Sequence, residues 1–518
     1  MVQFLKYSGI ISLIMIISIS FFSCRNLRDR NPGYELNLKV IPTGTGTLKA
    51  GFSAVPITPA VPDTWIDNDS NAKYEPQKGD TYNDGNGNGK FDAIWIAGFS
   101  KKRAANGIHD QLWARTMVID DGNTRFSLTA IDAIGLFHDE LIDIRNRISS
   151  SAGITYSIVT STHDHEAPDL MGLWGPKLFK SGVNADYLEY VKNQIVSSIE
   201  EAAGNLQPAR IKFAKDLTGG TSLVTDTRAP IVMDDGLRIM QVLKEDSDIS
   251  IGTLISWGCH PETLWDKNLM ITSDFPHYVR EGIENGVYYG DNLIKPGLGG
   301  IAIYFNGAIG GLMTLEKNCA VHDPWSGQTY RIPDFDKAES QGMQIAFAAL
   351  IALENSSDIH FSGSIGIASR TFDIPVKNFT LRLGARFGVL DRGYSKRKHM
   401  RTEIAYVTIG PASFLTYPGE VYPELINGGI ESPIGQDYEI EPIELPVARE
   451  MMSGDYKFII GLGNDELGYV IPKSEWDKKN PYIYGEEESP YGESNSLGPD
   501  TAPILHQEIK QLIEEFNY

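Results

Sequence analysis

The stretch STHDHEAPD occupies residues 161–169 and directly follows the β-prone run YSIVT at 156–160. Side chains two positions apart on an extended segment point to the same side, so His163 and His165 can approach one ion. Neutral imidazole is a good zinc ligand, and neighbouring carboxylates can orient it or shuttle protons. On its own, the pair is also compatible with two surface histidines at the end of a strand.

Two further apolar runs deliver polar side chains in the same way. Residues 251–257 lead into Gly-Cys-His-Pro-Glu-Thr with His260, and residues 414–417 lead into Pro-Gly-Glu420. Open α/β sheets place their chemistry at such strand ends. Two histidine clusters and one glutamate would complete a His/His/Glu site, the ligand mix of zinc hydrolases that keep a position for water. Taken singly, His260 could be structural and Glu420 a solvated turn residue.

Composition excludes several classes of protein. The chain has 518 residues, 42% of them hydrophobic and 22% charged, which is a globular balance. The net charge of −21 predicts repulsion from phosphate backbones and from anionic membrane surfaces, which argues against binding to nucleic acid. With three cysteines in all, a disulfide scaffold and a thiolate-rich metal cluster are both excluded.

Strand and helix signals alternate along the chain, which predicts one large α/β domain over residues 48–518, with mixed β-sheets flanked by helices. The region 485–496 is interpreted as an active-site loop, and the apolar residues of 170–180 either line a lipid tunnel or belong to the core. The clearest predicted elements are a hairpin of 113–119 with 125–131, a helix capped by Asn184 that stops at Gly204, and helices over 338–354 and 502–516.

The N-terminus predicts an export signal. Residues 1–23 combine Lys6 with an apolar stretch that is too short to span a bilayer, and Cys24 follows where cleavage is expected. This pattern is similar to a bacterial lipobox and predicts a lipidated Cys24, a flexible tether over 24–47, and a protein anchored to a membrane of the bacterial cell envelope, periplasmic or surface-exposed. An uncleaved anchor and an ordinary secretory signal are the alternatives.

Residues 84–92, DGNGNGKFD, have the spacing of a calcium loop. Asp84, Asn86, Asn88 and Asp92 place oxygens at positions 1, 3, 5 and 9, with glycine at 6. Trp95 at position 12 excludes a complete EF-hand. The nearby aspartates 67, 69 and 80 could supply further carboxylates, so a structural calcium site is predicted; a solvated Asn/Gly turn is the alternative.

Taken together, the motifs resemble those of the neutral/alkaline (non-lysosomal) ceramidases, zinc amidohydrolases of mixed α/β fold. The resemblance covers most of residues 48–500 and depends on the number and order of individually weak motifs. Those motifs are GIHD at 107–110 with WAR at 113–115, STHDHEAPD at 161–169, TRAP at 227–230, GCHPET at 258–263, SDFP at 273–276, FNGAIGG at 305–311, YPGE at 417–420 and GLGNDELGYV at 461–470.

The resemblance implies a role for each matched residue. His163, His260, Glu420 and Tyr469 would be the zinc ligands, and His165 would assist proton transfer. The resemblance also places Arg228 at the substrate carbonyl and Tyr491 at the oxyanion.

Two departures from the family pattern matter. Gly311 stands where the family has a serine at the reacting carbonyl, so a serine nucleophile is excluded there and metal-activated water is the remaining mechanism. The chain also ends soon after Tyr491, so the family's C-terminal β-sandwich is expected to be absent. The sequence therefore predicts a zinc-dependent hydrolase that cleaves an amide, either an N-acyl lipid or a related small molecule. The alternatives are an inactive ligand-binding surface lipoprotein and a zinc esterase or lactam hydrolase.

Overall fold

The computed structural model describes residues 28–43, 47–313 and 320–517, and two β-sheets dominate it. The larger sheet has, in spatial order, the strands Ile301–Asn306, Ser250–Trp257, Leu237–Lys244, Gln207–Asp216, Lys49–Pro56, Trp113–Asp120, Arg125–Ile131 and Tyr156–Ser161, and Ile359–His360 pairs with Gln207–Asp216. The smaller sheet has the order Asn37–Val40, Ile365–Pro375, His399–Ile409, Ala412–Tyr417 and Tyr456–Gly461.

Helices and short strand pairs complete the described part of the chain. The α-helices are His138–Arg147, Ala185–Gly204, Phe275–Glu284, Phe335–Asn355, Phe379–Arg386, Glu424–Asn427, Ala448–Met451, Tyr491–Ser494 and Thr501–Asn517. The short pairs are Thr64–Ile66 with Thr81–Asn83, Gly107–Ile108 with Met270–Ile271, Thr225–Asp226 with Leu312–Met313, Gly286–Tyr289 with Asn292–Pro296, Val321–His322 with Thr329–Tyr330, and Glu420–Val421 with Tyr469–Val470. Short 3₁₀ turns lie at Pro76–Lys78, Ser150–Ala152, Trp265–Lys267, Lys473–Glu475 and Ile483–Gly485.

The two sheets pack face to face, and helices cover their outer faces. Phe126 and Ile211 of the larger sheet share one buried cluster with Val407 and Phe414 of the smaller sheet. Alternating side chains on each strand let one face pack on the other sheet and the opposite face pack on helices. The helix Thr501–Asn517 packs on the outer face of the smaller sheet. This arrangement confirms the predicted α/β fold with mixed sheets flanked by helices.

Local sequence signals explain individual elements. The side chain of Asn184 accepts hydrogen bonds from the backbone N–H groups of Asp186 and Tyr187, which satisfies donors at the start of the helix Ala185–Gly204. The predicted hairpin is present: Trp113–Asp120 pairs antiparallel with Arg125–Ile131. Both predictions are confirmed, as are the helices predicted over 338–354 and 502–516, which begin and end within three residues of those bounds.

The predicted tether over 24–47 is wrong for residues 28–43. Asn37–Val40 forms an edge strand that pairs antiparallel with the strand Ile365–Pro375. Asp29 forms an ion pair with Arg401 at 2.5 Å. Backbone pairing with a strand more than 300 residues away holds this segment against the domain. The composition of the segment does not indicate such a distant partner.

Some predictions concern residues that the structure does not describe, namely Cys24, the signal segment 1–23 and Cys319. No helix in the described ranges has both the length and the apolar character needed to cross a bilayer.

Candidate metal centre

Parallel strands bring the three motif segments to one edge of the fold. Tyr156–Ser161, Ser250–Trp257 and Ala412–Tyr417 each pair in parallel with a neighbour, so their carboxyl ends share an edge with that neighbour. The hydroxyl of Thr160 donates to the carbonyl of Gly461 at 2.8 Å and joins the two sheets at this edge. The residues that follow these strand ends therefore meet in one place.

The two histidines at this edge are held in defined orientations. His163 Nδ1 lies 2.6 Å from the carbonyl oxygen of Ile134, and His260 Nδ1 lies 2.8 Å from that of Leu312. A carbonyl oxygen can only accept, so each Nδ1 carries a proton, and in the neutral imidazole each Nε2 presents a lone pair. Both Nε2 atoms face the Oε2 atom of Glu420, at 3.4 Å from His163 and 2.9 Å from His260.

This arrangement is suited to a cation. Two imidazole lone pairs and a carboxylate oxygen are all acceptors, so at these distances they need a proton or a metal ion between them. Burial by itself would raise the pKa of Glu420, but the adjacent His163 and His260 outweigh burial and hold that pKa below its usual range. A buried His/His/Glu set with carbonyl partners on the outer ring nitrogens is the donor chemistry of zinc hydrolases.

Tyr469 lies beside this set. Its backbone pairs with Glu420 in a short parallel bridge, and its hydroxyl lies 3.5 Å from His260 Nε2. Burial and the nearby Glu420 carboxylate raise the pKa of Tyr469 well above its usual value, so the phenol keeps its proton at neutral pH unless a cation approaches. The structure thus brings together all four of the residues predicted as zinc ligands.

His165 is close to the other two histidines but is held differently. One ring nitrogen from each of His163, His165 and His260 lies within 4.8 Å of the others. Both ring nitrogens of His165 are buried without a hydrogen-bond partner in the described part of the chain, although Nδ1 lies 3.3 Å from Glu262 Oε2. Burial, with the neighbouring histidines, lowers the pKa of His165 well below its usual value, so the ring is neutral at neutral pH.

Sequence reasoning missed the buried ionisable groups behind His165. Glu166 and Glu262 are buried, and burial raises the pKa of each to about 8. The Arg103 guanidinium is fully buried, donates to the backbone carbonyl of His165, and lies 3.4 Å from Glu166. Both glutamates belong to motifs already quoted, so their position in the sequence beside the histidines indicates that they lie near the centre. Arg103 lies in none of those motifs, so no sequence pattern indicates its place beside them.

Arg228 is predicted to contact the substrate carbonyl and Tyr491 the oxyanion, and the two residues have different surroundings. Arg228 donates to Glu493 at 2.9 Å and to Glu475 at 3.3 Å, and its guanidinium lies 5.0 Å above the Tyr422 ring. It lines a second cavity, separate from the one at the histidines. Tyr491 lines both cavities, and its ring centre lies 5.8 Å from that of Tyr469. Tyr491 is thus next to the centre, whereas the carbonyl contact of Arg228 stays a prediction.

Gly311 occupies a position that is adapted to glycine. Its φ is +76°, and a Cβ atom there would lie 2.7 Å from Asp226 Oδ1 and 3.0 Å from a ring carbon of Tyr422. Its carbonyl accepts from the backbone N–H of Thr227 at 2.9 Å. A serine here would combine a left-handed backbone with close contacts to Asp226 and Tyr422, so this position is suited to glycine.

The cavity at the centre has apolar walls. His163, His165, Glu420 and Tyr469 form its polar floor. Leu173 and Trp174 come from the segment 170–180, in which the sequence suggested either a tunnel or core. The other large apolar lining residues include Leu381, Leu390, Met400 and Leu497.

The predicted calcium loop is held by its own hydrogen bonds. Asp84 accepts from the backbone N–H groups of Gly87 at 2.7 Å, Asn88 at 3.1 Å and Gly89 at 2.7 Å. Asn86 donates to Asp92 at 2.8 Å. The four predicted ligands therefore lie in one loop, but calcium binding by them stays a prediction.

The nearby aspartates form a group of their own. One oxygen each from Asp67, Asp69 and Asp80 lies within 4.8 Å of the others. Asp67 accepts from two backbone N–H groups, and so does Asp80. The residue that hydrogen-bonds the calcium-type loop is instead Asp63, which accepts from Gly85 at 3.0 Å and from the backbone N–H of Asp92 at 2.7 Å.

Comparison with solved structures identifies the fold. The crystal structure of neutral ceramidase from Pseudomonas aeruginosa superposes with a TM-score of 0.63 and 15% sequence identity, over 91% of this chain and 74% of that chain. The chain has the fold of the neutral ceramidases. A second structure, a ceramidase complexed with C2, has a TM-score of 0.64 and 14% identity, over 92% of this chain and 76% of that chain. No protein-family model matches the sequence. The expected ceramidase-like fold is therefore confirmed from backbone geometry at an identity of about 15%.

Proposed function

We propose that this chain is a zinc-dependent hydrolase of the ceramidase-like fold that cleaves an amide of an N-acyl lipid or a related molecule. The observation that carries the proposal is the pair of Nε2 lone pairs of His163 and His260 aimed at the Glu420 carboxylate. With Tyr469 beside them, these residues form a donor set for zinc. A bound zinc ion would supply an activated water and polarise the scissile carbonyl.

The chain's own residues have separate tasks in this mechanism. Neutral His165 accepts a proton at its ring and delivers it to the leaving amine. Glu262, 3.3 Å from His165, orients that ring. The hydroxyl of Tyr491, beside Tyr469, donates to the oxygen on which negative charge develops. Arg228 is paired with Glu493 and Glu475 and lines the neighbouring cavity, so we assign the main oxyanion contact to Tyr491 and keep Arg228 in the proposal as an auxiliary group.

The cavity walls support an acyl chain as part of the substrate. Leu173, Trp174, Leu381 and Leu390 surround the approach to the centre, and apolar surfaces of this kind bind hydrocarbon. The same centre could serve a zinc esterase or lactam hydrolase, because the leaving-group side of the reaction is not distinguished by these contacts. An inactive ligand-binding lipoprotein is the alternative that the glycine at 311 favours.

Two further predictions belong to the same proposal. We propose that Cys24 carries the lipid that anchors the protein to a membrane of the bacterial cell envelope. We also propose that the loop of Asp84, Asn86, Asn88 and Asp92 has a structural role that its own hydrogen bonds supply, with calcium as a weakly bound candidate ion.

The experiment is a matched substrate panel. Zinc-loaded protein is tested on N-acyl amides of short and long acyl chain and on the corresponding esters, alongside Glu420→Gln. We expect turnover of the long-chain amide by the parent and loss of that turnover in the variant. Faster ester turnover would favour the esterase. Metal binding without turnover of any compound would favour the ligand-binding protein.

A further inference from the structure

A strongly basic segment stands out in this acidic protein. Residues 377–398 contain seven lysines and arginines and a single aspartate, whereas the whole chain carries a net charge of −21. The helix Phe379–Arg386 and the loop after it form this segment. A local charge opposite to that of the whole protein is expected where an anionic partner binds.

The segment encloses a groove on the surface, here called the basic groove. Five cations line it, and no carboxylate does so among the described residues. The Nε atom of Arg382 and the hydroxyl of Tyr394, both in the lining, are buried without a hydrogen-bond partner in this part of the structure. Lys396 has a carboxylate neighbour outside the lining, Asp373 at 3.1 Å. The five lining cations are Arg382, Arg386, Lys396, Arg397 and Lys398.

Large apolar side chains are exposed at the edge of the basic groove. Phe379 is 67% exposed, Phe387 50%, Phe179 53% and Leu178 65%. The rings of Phe179 and Phe387 lie 4.8 Å apart, so two separate segments contribute to one apolar patch. Exposed aromatic and aliphatic side chains flanked by cations are typical of surfaces that enter the interface of an anionic membrane.

The same helix connects the basic groove with the cavity at the metal centre. Phe379 and Arg382 line the groove, whereas Leu381 and Leu390 line the cavity. Trp174 lines the cavity a few residues before the exposed Leu178. A bilayer in contact with the groove and its apolar edge would therefore lie next to the apolar wall of the cavity.

The start of the described chain lies at the same surface. Arg28 forms a β-bridge with Tyr394, and Arg30 donates to the carbonyl of Asp391 at 3.1 Å. Cys24 is four residues before Arg28, a span of at most about 14 Å for an extended chain. A lipid on Cys24, if present, would be attached close to the basic groove.

We propose that the basic groove and the apolar edge formed by Leu178, Phe179, Phe379 and Phe387 dock on the anionic surface of a lipid bilayer. The cations of the basic groove bind the phosphates of lipid headgroups, and the apolar edge enters the headgroup region. Docking turns the apolar cavity wall towards the membrane. Binding itself does not depend on the metal centre, so it is tested separately from hydrolysis.

The test is binding to vesicles by a chain that lacks the predicted anchor. Every described element lies between Arg28 and Asn517, so a chain beginning at Arg25 keeps the whole described fold. We expect sedimentation with vesicles that contain about 30% phosphatidylglycerol and little with pure phosphatidylcholine, and we expect release at high salt. The triple variant Lys396→Gln, Arg397→Gln, Lys398→Gln should bind about 100-fold more weakly, from about fivefold per cation.

Matched controls separate this surface from a general charge effect. Lys49→Gln, Lys90→Gln and Lys215→Gln together remove three exposed lysines from other elements and should leave binding within about twofold. Phe379→Ala with Phe387→Ala should weaken binding about tenfold, and the exposed Ile332→Ala with Ile434→Ala should not. Circular dichroism melts check that all variants are folded, and His163→Ala should bind vesicles like the parent.

Several outcomes would overturn the proposal. The parent could fail to bind phosphatidylglycerol vesicles, or the two triple variants could weaken binding equally. Retention on an anionic polymer or an acidic protein without vesicle binding would assign the groove to a different partner. If vesicle binding succeeds while no amide is cleaved, the docking surface stands and the proposed hydrolase function fails.

Discussion

The histidine centre and the loop 84–92 both bring together side chains of the types that bind metals. The oxygens of the loop already accept hydrogen bonds, whereas the acceptors of the centre face one another. In the loop, the Asp84 oxygens accept backbone N–H groups, and Asp92 accepts the Asn86 amide at 2.8 Å. In the centre, the lone pairs of His163 and His260 point at another acceptor, Glu420. Residue types at ligand spacing are therefore a weak indication of a metal. Buried acceptors that face each other and need a proton or a metal ion between them are a stronger one.

The largest expected effect comes from removing a ligand in the centre. His260→Ala leaves Glu420 with one imidazole, so we expect loss of stoichiometric zinc and a loss of hydrolytic turnover of at least about 1000-fold. Elemental analysis and a turnover assay check the two effects together. The exposed His322→Ala is the control and should change neither. Unchanged zinc content in His260→Ala would contradict the assignment of this ligand.

A smaller effect is expected at His165, whose ring nitrogens lack hydrogen-bond partners among the described residues. His165→Gln should lower kcat by about 100- to 1000-fold while zinc content stays at the parent level, because a proton carrier and not a ligand is lost. The same two measurements serve here. Loss of zinc in this variant would show that His165 is a third imidazole ligand and that Glu420 has another role.

Gly311→Ser should lower stability and should not raise the rate of amide turnover. The left-handed backbone and the 2.7 Å approach to Asp226 predict a loss of about 1–3 kcal/mol in the free energy of unfolding, measured with denaturant. Gly410→Ser is a matched control, since Gly410 also has a positive φ, +56°, but a Cβ atom there would have no neighbour within 4 Å. It should cost about 1 kcal/mol. A gain of amide turnover in Gly311→Ser would show that a serine at this position contributes to the reaction.

The smallest effect is expected at the loop 84–92. Because its oxygens already have partners, we expect saturating calcium to raise Tm by less than about 2 °C, with Asp84→Asn insensitive to calcium. Differential scanning calorimetry measures both. A rise of many degrees that Asp84→Asn abolishes would mean that the loop exchanges its internal hydrogen bonds for an ion, and the contrast with the histidine centre would disappear.

Sequence patterns were sufficient for much of the fold and for the identity of the clustered residues. The run before His163, the cap at Asn184 and the hairpin after Trp113 are local signals that depend on neighbours in the chain. His163, His260 and Glu420 each follow a predicted strand, and strand ends meet at one edge of a sheet, whereas Tyr469 is implied only by the family resemblance.

Features that depend on distant partners could not be predicted in this way. No local sequence pattern indicates that the strand Asn37–Val40 pairs with the strand Ile365–Pro375. The contact of Arg103 with Glu166 and the pairing of Arg228 with Glu493 are not indicated by any local pattern either. The sequence around an arginine does not distinguish one that faces a substrate from one that pairs with a carboxylate. Long-range contacts of this kind decide which group is available for chemistry.

The zinc content of the purified chain decides whether the histidine centre is a metal site. Protein loaded with zinc and then freed of excess metal should retain about one zinc per chain, with histidine and oxygen ligands in its X-ray absorption spectrum. His163→Ala should lose this zinc, and the exposed His322→Ala should keep it. A parent protein without stoichiometric zinc after loading would refute the zinc centre and the hydrolase mechanism built on it.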